Sequence, residues 1–102
     1  MTKIFASKMD LEREINGEFS RLQVAATSEI YNAMDRLGLS KRDLARKMSV
    51  PLDYLSGMLD GDMPITMKML VRFSVVLEFR WDLKIMPINY IRPIKKTKEI
   101  VR

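Results

Sequence analysis

Few kinds of side chain in this sequence can do chemistry. Its 102 residues include no histidine and no cysteine. That removes the commonest general base, the commonest metal ligand and every thiol nucleophile, and it excludes disulfides and cysteine-bound zinc. Catalysis would fall to Ser with Lys or to paired carboxylates. Glu12, Glu14 and Glu18 share one helical stretch and read as a solvated face, not a converging pair, and there is no glycine-rich phosphate loop. The expectation is a protein that is not an enzyme, with no cofactor, metal or small-molecule substrate.

What remains is cationic. Lys41, Arg42, Arg46 and Lys47 flank Asp43 within seven residues, a local net charge of +3. Residues 1–79 are otherwise balanced, with 11 Lys/Arg against 11 Asp/Glu, whereas residues 80–102 hold 7 against 2, so the overall excess of +5 lies at the C-terminal end. A cluster of guanidinium and ammonium groups suits phosphate, although a solvated helix face is the plainer reading of the same charges.

The elements that would position this cluster can be read from capping and periodicity. Ser40 and Asp43 have the spacing of a capping box, with Asp where Glu is commoner, and open a helix from Lys41 to about Met48. Leu44, Ala45 and Met48 give it one apolar stripe, with the small Ala45 at the crossing point. After Ser49 and Val50, Pro51 suits the first position of a second short helix. Leu55, Met58 and Leu59 face inward from it, and Gly61 provides a left-handed stop.

This segment, Leu39 to Gly61, resembles without a gap the helix-turn-helix of the Cro/phage-repressor (Xre-like) family, and the likeness extends over roughly Ser20 to Leu77. It implies a mainly α, four- to five-helix repressor-like domain whose second motif helix enters the DNA major groove. The groove-facing positions are then Leu52, Asp53, Ser56 and Gly57, with Lys41, Arg42, Arg46, Lys47 and Tyr54 on phosphate. Double-stranded DNA is the implied partner and a toxin a possible protein partner, since some antitoxins of this family also follow the helical domain with an extended segment.

The implied base readers are unusual. Guanine is commonly read by Arg or Lys and adenine by Asn or Gln, and the helix offers none of these. Leu52 can meet a thymine methyl, Ser56 can donate or accept, and Asp53 can accept from a cytosine amine. As structural alternatives, Asp53 suits the first turn of a helix, Tyr54 suits packing, and Gly57 marks either a close approach or a tolerant site. Met58, Met63, Met67 and Met69 suggest either core filling or an adaptable surface. Met63, in a loop, is the one to examine for exposure.

The flanks complete the expected layout. Phe19, Leu22, Ala26, Ile30 and Leu37 recur at helical spacing, giving a first helix over about Glu18 to Leu37 that Gly38 ends. Residues 1–17 form an N-terminal arm or an extra helix, with Asn16-Gly17 as a break, or else an extension of the first helix. Residues 18–79 are the helical domain, with Thr66 capping a last helix from about Met67 to Glu78. Over residues 80–91, Trp81, Leu83 and Ile85 alternate with polar neighbours like a C-terminal β-strand that Pro87 stops. A lone strand needs a partner, either residues 88–91 or the same strand of a second subunit. The second option makes Trp81, Leu83 and Ile85 a homodimer interface. Residues 92–102 are a basic tail, either frayed or following DNA backbone. Without a long apolar run or signal-peptide pattern, the chain reads as cytoplasmic, with no membrane partner.

Overall fold

The computed structural model describes residues 7–87, which are mainly helical. Four helices follow one another: α1 (Lys8–Leu37), α2 (Lys41–Met48), α3 (Leu52–Leu59) and α4 (Met67–Leu77). Their ends follow from local chemistry. The Ser7 hydroxyl accepts from the Asp10 amide to open α1, and Gly38 closes it at φ 69°. The amide of Leu39 reaches back to the Met34 carbonyl at 2.9 Å, so the turn uses carbonyls the helix leaves unpaired. Thr66 caps α4 through the Met69 amide.

Helix α1 runs unbroken through Asn16 and Gly17, which settles the open reading of residues 8–17 in favour of an extension of the first helix. A glycine inside a helix costs only about 1 kcal/mol relative to alanine, and Ser7 supplies the cap upstream. Residues 1–6 of the expected arm lie outside the described residues.

The core is small and contiguous. Ile30, Leu44, Leu55, Met58, Phe73 and Leu77 are its largest fully buried side chains. α2 packs on α3, and α4 packs on both α1 and α2. Two buried hydroxyls satisfy themselves locally, Thr27 donating to the Val24 carbonyl and Ser74 to the Val71 carbonyl. Two arginines tie helix ends across the fold. Arg72 donates to the Met48 carbonyl at 2.9 Å, at the C-terminus of α2, and Arg36 to the Leu77 carbonyl at 3.4 Å, at the C-terminus of α4. Each places positive charge where a helix end is negative.

After α4 the described chain to Pro87 carries no strand. Trp81 is partly buried against the core, its ring edge-on to Phe79 at 4.9 Å and its indole N–H donating to the Leu70 carbonyl at 2.6 Å. This corrects the expectation for Trp81 alone: its side chain is held by its own α4. Leu83 and Ile85 are 89% and 92% exposed. Residues 88–91 and the basic tail lie outside the described residues. No described helix is long and apolar enough to cross a membrane.

Candidate nucleic-acid interface

The α2–turn–α3 unit is built as its residues dictate. The capping box closes in both directions, the Asp43 amide donating to Ser40 Oγ and the Ser40 amide to Asp43 Oδ2, both at 3.1 Å. The Asp43 carboxylate lies below its ordinary aspartate pKa, first because of the Ser40 amide, then the Ser40 side chain and Arg46. α2 ends on Ser49 in the left-handed region, φ 58°, with the Val50 amide bonded to the Ala45 carbonyl at 3.0 Å. Three residues then suffice to reach α3. Pro51 stands just before α3, not in its first turn, with φ −63° and no side-chain cap. Its extended ψ of 145° turns the chain into the new direction.

The cations of α2 differ in availability. Arg42, Arg46 and Lys47 are exposed. Arg46 touches Asp43 at 3.5 Å, a loose surface pair that a stronger anion can displace. Arg42 and Lys47 have no ion-pair partner among the described residues. Lys41 is engaged: its Nζ lies 3.3 Å from Asp60 Oδ1 and 5.9 Å from the centre of the Tyr31 ring. Tyr31 first, then Asp60, hold its ammonium above the usual lysine range. Lys41 thus bridges the start of α2 to the end of α3.

The exposed surface of α3 is narrower than expected. Asp53 and Tyr54 are exposed, and Asp60 follows at the helix end. Ser56 is half-buried, and Leu52 is half-buried against the core. Gly57, expected on the outer face, is buried, and this corrects its assignment to base reading. A Cβ built there would lie 2.8 Å from Met63 Cε. The Gly57 carbonyl also accepts from the Asp62 and Met63 amides at 2.9 and 3.3 Å. The missing side chain is space for the loop after α3, which folds back onto the helix. Met63 is accordingly a half-buried lid, Met58 and Met69 are core, and Met67 is exposed.

Gln23 and Arg72 support this unit from outside it. Gln23 Nε2 donates to the Met63 carbonyl at 2.8 Å and the Met58 carbonyl at 3.4 Å, pinning the end of α3 and its loop to α1. Gln23 Oε1 is buried without a hydrogen-bond partner. The only sequence signal for Gln23 is a polar residue beside an apolar stripe. Among the described residues no group of three His, Cys, Asp or Glu side chains could hold a metal ion. The chain matches no protein-family model, and searches of curated proteins and of solved structures find no significant match.

Proposed function

We propose that the chain is a DNA-binding regulator, a repressor acting as a two-fold dimer on an inverted repeat, that presents the exposed sides of α2 and α3 to duplex DNA. The carrying observation is the placement of Arg42, Arg46 and Lys47, solvent-facing on a capped eight-residue helix one tight turn before a second helix with exposed polar groups. On this reading the α2 cations hold phosphate. Asp53, Ser56 and Leu52 supply a restricted base readout biased toward cytosine and thymine, and Tyr54 lies beside the backbone. The two copies of α3 stand about 34–36 Å apart in successive major grooves.

Selection from a random duplex library at moderate salt tests the proposal, with an enriched inverted repeat as the expected result. Binding should weaken as salt rises, and Arg42→Ala or Lys47→Ala, each removing one phosphate contact per subunit, should lower the log–log slope by about two units per dimer on every sequence. Lys41→Ala should lower it less, because Lys41 already has Asp60. Ser56→Ala should change preference among sequences instead.

A second reading is favoured by one feature. The accessible chemistry of α3 is dominated by Asp53 and Asp60, which phosphate repels. A module that keeps this fold but binds a basic protein partner, as a toxin-neutralising antitoxin would, uses the same surface. A flat salt response on DNA with no enriched sequence selects that reading.

A further inference from the structure

Helix α1 carries one apolar stripe, but the chain's own core covers only its second half. Ile30 and Ala33 are fully buried, whereas Leu11, Ile15, Phe19 and Leu22, on the same side of the helix about two to six turns earlier, are 39%, 50%, 48% and 62% exposed. No residue from Lys8 to Leu22 is buried. A helical stretch of this length is marginal alone in water. The Asp10–Arg13 and Glu18–Arg21 pairs on it, at 3.2 and 3.1 Å, are exposed and add little.

We infer that residues 8–22 of α1 pair antiparallel with the same residues of a second copy of this chain. The stripe is nearly symmetric about the Asn16–Gly17 bond, so a two-fold axis there sets Leu11 against Leu22 of the partner subunit and Ile15 beside Phe19 of the partner subunit, each contact made twice. The flanking charges are compatible with this. Arg21 pairs with Glu18 of its own chain at 3.1 Å, and an antiparallel copy adds Glu14 of the partner subunit to the same flank, seven residues from Arg21 in sequence. A parallel copy leaves Glu14 facing Phe19 of the partner subunit.

Eight large apolar side chains, four from each copy, with the methylenes beside them, remove on the order of 1,000 Å² from water, near the lower edge for a stable complex. Trp81 is already held within the chain by the Leu70 carbonyl, which leaves Leu83 and Ile85 without their aromatic neighbour, whereas α1 offers four large apolar side chains in one stripe. This assignment does not depend on DNA binding, because it is tested without DNA.

The full chain should show a concentration-dependent monomer–dimer equilibrium in sedimentation, with dissociation in the micromolar range. Ile15→Glu should raise the dissociation constant a hundredfold or more, since two buried side chains are lost per dimer. The chain has no cysteine, so introduced thiols report alone. An equimolar mixture of Leu11→Cys and Leu22→Cys chains should form the mixed disulfide on mild oxidation, while neither variant alone cross-links. This second measurement stands if Ile15→Glu fails to fold. The assignment is overturned by a full chain that stays monomeric at hundreds of micromolar, by a dimer that Ile15→Glu leaves intact, or by Leu11→Cys linking to itself. Thiols at Leu11 and Leu22 that are shielded in a monomer would give the stripe to residues 88–102 and also overturn it.

Discussion

Helices α2 and α3 have the same length and opposite means of support. α2 opens on a reciprocal capping box, carries its acid in the first turn and its bases in the last, and ends on a left-handed residue, so its own sequence favours it throughout. α3 opens on a proline without a side-chain cap, contains a glycine and has no base in its last turn. It stands because Leu55, Met58 and Leu59 are buried, and because Gln23 and the following loop hold its end. The helix expected to meet the ligand is thus placed by distant parts of the chain, whereas the helix expected to hold phosphate places itself.

That contrast can be broken from either side. The largest effect should come from Leu55→Ala, which empties a fully buried position at a cost of about 3 kcal/mol in denaturant unfolding. Next, Gly57→Val should cost about 2 kcal/mol by forcing Met63 off the helix. Gly57→Ala should stay within about 1 kcal/mol of the parent, because the helix preference for alanine offsets moving one flexible methyl. A surface role for Gly57 predicts equal tolerance of both. On the α2 side, Ser40→Ala should cost about 1 kcal/mol and leave the packing of α3 unchanged, as judged by near-ultraviolet dichroism of Tyr54 and Trp81.

The smallest effect is a pH dependence. The folded state holds Asp43 below its ordinary value, so its contribution is complete above an unfolded pKa of about 3.9 and is lost as pH falls through the lower folded value. Asp43→Asn should therefore flatten the acid limb of the stability curve and leave the neutral region with the same slope. An unchanged acid limb would show that the capping box contributes nothing through charge.

Much of the fold was legible because helix ends are local events. Ser40 with Asp43, Gly38 and Thr66 each announce a terminus within four residues of sequence. Misplacements arose where a distant residue decides. Gly57 looked like an outward gap because nothing near it in sequence shows that Met63 returns to fill the space. Trp81 alternates with polar neighbours as a strand residue would, yet its N–H is held by Leu70 eleven residues earlier. The Lys41 contacts with Asp60 and Tyr31 follow the same rule, joining three elements whose mutual approach only the tertiary packing sets. The exposed cations Arg42, Arg46 and Lys47 needed no such information, since a capped amphipathic helix assigns its own outer face.

The uninterrupted course of α1 through Asn16 and Gly17 has a mechanical consequence. A single rod of 30 residues has no hinge in which to dissipate a twist, so whatever grips its first turns dictates the pose of everything carried at its far end. Each residue inserted near Gly17 would advance the far end by about 1.5 Å and swing it by about 100°. Length and phase there act as a setting screw for the whole domain.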